Sequence, residues 1–306
     1  MKPSAKPCSA SAAKRSLACV ALVLCALASH AATPATAGGL LEEVRKRGIL
    51  RAGTRTTASP FAFRTDSGQF AGFSVDLIRA IHSRLAERGK GELRLDISPV
   101  TSANRLDRVA GGQLDIVCGL TTVTWPREQQ IDFTLPFFVD GTKLLTDREH
   151  GRSGLRSLRG ERVGVLANST TEGIVADALP SAELVTFETM AEAMTALENQ
   201  RVAAIGNIGI LLEKLRTQSP RSASLVLVPD NVGLSREPMG CVVPEDESRF
   251  RDTVNRILSG MMNGLDDLSG PYAELYYDWF GVDGVLFYPL TEQRRRALNG
   301  ARVWLR

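Results

Sequence analysis

The chain offers almost nothing that could hold a metal or a nucleotide. Histidine occurs three times in 306 residues, as His30, His82 and His150, and no two of them stand at a zinc-ligand spacing. There is no GxxxxGK[ST] run and no GxGxxG at a strand–helix junction, so the familiar phosphate cradles are missing. No GxSxG elbow presents a serine nucleophile. No cofactor, no metal and no enzymatic machinery is therefore expected. A repeat period of roughly 20–50 residues is also absent, which argues against a solenoid.

Long apolar runs are missing too, except near the start. There Lys2, Lys6, Lys14 and Arg15 precede "SLACVALVLCALA" (16–28) and then "SHAATPATA". A charged segment, an apolar core of about a dozen residues and a small-residue zone make a cleaved secretion signal, about residues 1–37. A membrane anchor would need about 20 apolar residues. Leu24 is bulky before Cys25 and Cys19 comes early in the apolar run, so cleavage after Ala31, Ala32 or Ala37 is expected rather than lipidation. A periplasmic location follows.

Removing the leader changes the charge. Four of the 37 basic residues and none of the 34 acidic ones go with it, leaving about −1. The excess of basic charge that gives the full chain a net +3 belongs to the leader, and no electrostatic case for nucleic acid remains. Cysteine becomes scarce as well: of five, only Cys118 and Cys241 stay. An even pair in an oxidising compartment reads as a disulfide, with two separate buried thiols as the alternative.

What is present is a repeated strand–helix alternation. "GGLLEEVRKRG" (38–48) is a short amphipathic helix closed by Gly48. "ILRAG" follows as a strand. "FSVDLIRAIHSRLAERG" (73–89) sets Leu77, Ile78, Ile81 and Leu85 on one helical face. "LRLDI" and "QLDIVCG" are strands flanking a short helix in "SANRLDRVAGG", with Ser102 as its N-cap. The alternation restarts at "RVGVL" (162–166) and runs through "STTEGIVADAL", "ELVTF", "MAEAMTALENQ", "VAAIG", "IGILLEKLRTQ" and "SLVLV". Two such series predict two α/β lobes with mainly parallel sheets. The C-terminal part is mostly helical, and the tail after Gly281 shows no clear pattern.

The order of these pieces resembles one family. "GILRAGTRTTASPFAF", "GFSVDLIRAI", "VTSANRL", "DIVCGLTTVTWPREQQIDFTLPFFVDGTKLL", "LRGERVGVLANSTTE", "MGCVVPEDE" and "YYDWFG" together resemble type II periplasmic substrate-binding proteins of ABC importers. The polar amino-acid group, and within it the glutamate/aspartate branch, looks most similar. The resemblance implies a two-lobed periplasmic-binding-protein type II fold with two hinge crossings and closure around a ligand. Lobe 1 would take 38–136 and 239–306, and lobe 2 would take 137–238.

The resemblance also implies site residues. Arg127 would grip the ligand's α-carboxylate, since a guanidinium makes a planar two-point contact with a carboxylate. Thr122, and less strongly Thr121, would complete that shell. Arg55, Ser102 and Arg105 match positions that hold a side-chain carboxylate in the glutamate/aspartate branch. Unpaired buried arginines would be costly opposite a neutral ligand, so two extra ones argue for an acidic one. Thr170 and Thr171 open a helix whose free amides suit an anion. Phe61 or Phe63 would lie against the ligand's aliphatic part.

Three positions depart from the family pattern. Ile208 stands where an acid usually pairs with the ligand's ammonium, Met190 where the branch tends to have histidine, and Leu120 where a small hydroxyl residue is usual. Glu172, Glu188 or Glu192 could supply a replacement acid. The expected function is capture of an acidic amino acid and its delivery, as a monomer, to a membrane permease. An amine-free or modified dicarboxylate is the alternative ligand. Two other classes remain: a sensory module acting through a separate partner, and, remotely, an enzyme like the cyclohexadienyl dehydratase that shares this fold.

Overall fold

The two sheets are built alike, and the way the chain crosses between them explains their strand directions. The computed structural model describes residues 39–89, 91–230 and 232–302; the predicted leader lies outside them. Helix α1 (Gly39–Arg47) leads into β1 (Ile49–Thr54). A three-stranded flap of β2 (Thr57–Ala58), β3 (Ala62–Arg64) and β4 (Phe70–Ala71) precedes α2 (Phe73–Glu87). Then come β5 (Arg94–Pro99), α3 (Arg105–Ala110), β6 (Ile116–Val117), the single turn α4 (Trp125–Glu128) and β7 (Ile131–Phe133). The chain leaves through β8 (Phe138–Asp140).

The second lobe holds β9 (Thr142–Asp147), β10 (Arg162–Leu166), α5 (Thr170–Ala178), β11 (Glu183–Phe187), α6 (Met190–Glu198), β12 (Ala204–Ile208), α7 (Gly209–Gln218) and β13 (Leu225–Val228). The chain returns through β14 (Glu237–Met239), antiparallel to β8, and finishes with β15 (Val242–Pro244), α8 (Ser248–Met261), α9 (Pro271–Phe280) and α10 (Glu292–Arg302).

The first sheet runs β5-β1-β6-β15-β7 and the second β11-β10-β12-β9-β13. β15 pairs antiparallel with both its neighbours, and so does β9. The other strands of each sheet therefore share one direction. Each reversed strand directly follows a crossing. The parallel strands end at the cleft between the lobes, so a strand entering a sheet from that cleft must run away from it. The C-terminal edges of both sheets thus face each other, the place where open α/β sheets bind ligands.

Packing follows the sequence pattern. The predicted apolar face of α2 (Leu77, Ile78, Ile81, Leu85) is buried in the lobe 1 core with Phe61, Phe73, Phe138 and Phe280. Lobe 2 has a separate apolar cluster on each face of its sheet. Between the crossings the backbones come so close that a side chain on Gly141 would put its Cβ 2.2 Å from the Ser235 carbonyl.

Two expectations are corrected. Ser102 is not the cap of α3: that helix starts at Arg105 after Asn104. Asn104 Oδ1 instead accepts from the Thr101 amide at 2.9 Å, while Thr101 Oγ1 accepts from the Asn104 amide. And the tail carries structure as far as Arg302, ending in α10. Leu286, Leu290 and Leu298 are buried in the lobe 1 core. Tyr288 donates to Asp140 Oδ1 at 2.8 Å, and the Ile210 amide, at the start of α7, donates to Oδ2. Burial pushes the Asp140 carboxyl up, against the pull of Arg294. The tail is therefore fastened to the first crossing.

Cys118 and Cys241 form a disulfide, both fully buried. They stand 123 positions apart in sequence, and the segment between them contains all of lobe 2. Closing so long a loop removes much unfolded-chain entropy. Replacing both cysteines with alanine should cost about 2–5 kcal/mol of stability, read by denaturant unfolding. Unchanged stability would refute this.

Candidate functional site

Lobe 1 supplies the charged wall of the cleft. Arg55 follows the end of β1, Ser102 follows β5, Arg105 opens α3, and Leu120 and Thr122 follow β6, with Arg127 in α4. Lobe 2 supplies Leu166, Ser169, Thr170 and Thr171 from the β10–α5 junction, and Asn207, Ile208 and Leu211 from the β12–α7 junction. Every one stands at or just past the C-terminal end of a strand, or in the helix that follows.

The three arginines dominate the electrostatics. Burial pushes the Arg55 guanidinium down, with no neighbouring acid among the described residues to offset it. Arg105 is pushed down to about 9 by burial, then by the like charges of Arg127 and Arg55. Arg127 is lowered by burial and partly restored by Glu237. Each shift says that the charged form lacks solvation or a partner. Two guanidiniums are held by neutral groups. Arg105 Nε donates to Thr121 Oγ1 at 3.1 Å and its Nη1 bonds the Ser102 carbonyl. Arg127 Nη1 donates to the Thr122 carbonyl at 2.7 Å.

The lobe 2 wall is built to donate. Ser169 precedes α5 but does not cap it; its hydroxyl donates to the Leu166 carbonyl at 2.6 Å. The first amides of α5 are thus not covered by that side chain. Gly206 lets α5 pack tightly on β12, since a Cβ there would sit 3.1 Å from Thr171 Cγ2. Asn207 Oδ1 accepts from the Ile208 amide at 2.8 Å, which fixes the orientation of its side-chain amide. Its Nδ2 is buried and has no partner among the described residues.

Sequence reading missed Glu237. It is 3% exposed, lies in the returning crossing β14, and accepts from four hydroxyls. Thr122 and Thr170 reach Oε2 at 2.9 and 2.6 Å; Thr142 and Ser235 reach Oε1 at 2.6 and 2.8 Å. Thr122 comes from lobe 1 and Thr170 from lobe 2. "SREPMG" offered no pattern that would have singled it out.

Of the predicted site residues, the structure brings Arg55, Ser102, Arg105, Thr122, Arg127, Thr170 and Thr171 to the cleft. Thr121 stands behind Arg105, 1% exposed. Phe61 is a correction: it is fully buried in the lobe 1 core, edge-on to Phe73 and Phe138, because its large apolar ring is worth more there than at a polar cleft. Phe63 packs edge-on against Trp279. The candidate replacement acids Glu172, Glu188 and Glu192 are exposed, and Glu192 closes the capping box of α6. None of them lines the cleft.

Residues 50–282 match the bacterial extracellular solute-binding proteins, family 3. The chain belongs to this family. It is 26% identical over 277 residues to the glutamate/aspartate import solute-binding protein of Escherichia coli (strain K12), covering 87% of this chain and 88% of that protein. Among solved structures, this solute-binding protein is similar to an ancestral arginine-binding protein bound to glutamine, at 28% identity and a TM-score of 0.66, over 77% of this chain and 99% of that one. It is also similar to an ancestral amino acid-binding protein described as a precursor of cyclohexadienyl dehydratase, at 26% identity and a TM-score of 0.65, over 78% and 98%. No helix among the described residues is long and apolar enough to cross a membrane.

Proposed function

We propose that this chain is the periplasmic receptor of an ABC importer and captures a small solute with two carboxylates, of the glutamate/aspartate kind. The observation that carries this is the cluster Arg55, Arg105 and Arg127 on one wall, each destabilised by burial, with Glu237 offsetting Arg127 only in part. Such a cluster is costly when empty and is relieved by a dianion. The similar Escherichia coli protein is a glutamate/aspartate import solute-binding protein, which supports an acidic ligand. A cationic solute, as in the arginine-binding relative, would face three like charges. The two lobes close on the ligand, and the closed form is presented to a membrane permease. The chain does no chemistry on its cargo.

A thermal-shift panel tests this. A dianion at about 1,000 times its Kd adds about 4 kcal/mol, which raises the melting temperature by about 8–16 °C in a protein of this size. Acidic amino acids or plain dicarboxylates should give that shift, and glutamine and arginine should not. A shift with only neutral or cationic amino acids would overturn the proposal.

A further inference from the structure

We propose that the ligand of this cleft carries no ammonium group: the cleft takes a plain dicarboxylate in preference to the matching amino acid. This rests on the dicarboxylate reading above and narrows it.

An ammonium is three N–H donors with no acceptor, so it needs acceptors when it leaves water. The cleft offers donors instead. Among the described residues, no aspartate or glutamate lines it. The two backbone carbonyls beside the arginines, of Ser102 and Thr122, each already accept one bond, from Arg105 and Arg127, and an ammonium reaching them would sit against a like charge. Glu237 is the nearby acid, but both its oxygens are each taken by two hydroxyls. Turning it to an ammonium would strip those hydroxyls of their acceptor.

The lobe 2 wall makes the same point independently. Asn207 is the polar side chain at the end of β12, and its oxygen is committed to the Ile208 amide. Its buried Nδ2, with no partner among the described residues, is therefore a waiting donor. A buried donor of this kind calls for an acceptor on the ligand. Beside it, Ile208 and Leu211 are apolar and suit a carbon chain.

Net charge agrees. Three guanidiniums and the single carboxylate coupled to Arg127 leave an excess of two positive charges. A dicarboxylate supplies two negative charges. A zwitterionic acidic amino acid supplies a net one, and brings its own cation towards the arginines.

The test is titration calorimetry on the purified chain at neutral pH, with carbon-matched pairs: glutarate against L-glutamate, and succinate against L-aspartate, with glutamine and arginine as further arms. In the better-binding pair the plain dicarboxylate should bind at least threefold tighter. A ratio of one or below overturns the inference while leaving the dicarboxylate reading standing. Binding of glutamine or arginine without any acid overturns both. Asn207→Asp keeps the size of the side chain and turns the waiting donor into an acceptor. It should move the ratio towards the amino acid by tenfold or more, and an unmoved ratio overturns the role given to this wall. The wild-type ratio decides the inference even if that variant does not fold.

Discussion

Arg55→Met should give a protein that melts higher than wild type without ligand and binds its ligand at least 100-fold more weakly. Arg55 leaves the end of β1 and reaches the cleft, where burial alone pushes its guanidinium down. It has no salt-bridge or hydrogen-bond partner that would repay that burial among the described residues. Methionine keeps the apolar stem and removes the charge. Replacing buried charge with apolar volume typically stabilises by about 1–4 kcal/mol. At roughly 2–4 °C per kcal/mol for a protein of this size, the melting temperature should rise by several degrees. The binding loss follows from the same group: a charge-assisted contact is worth about 1.5–3 kcal/mol, and an arginine can make two. Arg55→Lys should fall between, keeping the charge but losing the flat fork. Scanning calorimetry with and without ligand reads both effects. A variant with wild-type affinity, or one that melts lower, would sink the argument. The opposition of the two effects is the point, since a site that holds strain for its ligand trades stability for affinity.

The fold was more legible than the site. The strand "RVGVL" is found at Arg162–Leu166 and "ELVTF" at Glu183–Phe187, because β-branched runs bounded by loops carry their own signal. The helix α2 followed from the spacing of Leu77, Ile78, Ile81 and Leu85. Helix α10 did not. "EQRRRALNGAR" has only Ala297, Leu298 and Ala301 as apolar residues, and it is fixed by contacts that no periodicity records: Leu298 in the lobe 1 core, and Arg302 Nη1 donating to the Met262 carbonyl at 2.8 Å. The arginines of the cleft could be proposed because they sit just past strand ends in a family-like order. Phe61 could not be told from a core residue by type or position, and the core took it. Glu237 was invisible for a different reason. Its role comes from Thr122, Thr142 and Thr170, which are 115, 95 and 67 residues away in sequence.

Removing that carboxylate should separate stability from closure. In Glu237→Ala the four hydroxyls of Thr122, Thr142, Thr170 and Ser235 lose one shared acceptor. The donors fall into two groups. Thr142 and Ser235 lie in or beside the crossings with Glu237 and are tied to each other, the Thr142 amide donating to Ser235 Oγ at 2.9 Å, so their bonds to Oε1 need no contact across the cleft. Thr122 and Thr170 belong to opposite lobes, and their oxygens are 3.4 Å apart, so both can reach Oε2 only when the cleft is shut. The first pair therefore stabilises the protein in any state, and the second pair stabilises the closed one. At about 1.5–3 kcal/mol for each hydrogen bond to a charged group, less the relief of no longer burying the charge, the alanine variant should lose about 3–5 kcal/mol of stability in the closed form. Roughly half of that loss bears on closure, so ligand affinity should fall about 10- to 100-fold. Small-angle scattering should show a larger radius of gyration for the variant at ligand concentrations that close the wild type. Thr170→Val should give the closure part with little of the rest, and adding it to Glu237→Ala should cost almost nothing further, because residues in one hydrogen-bond network do not add. If the two changes add fully, or if Glu237→Ala binds like wild type, the carboxylate does not join the lobes.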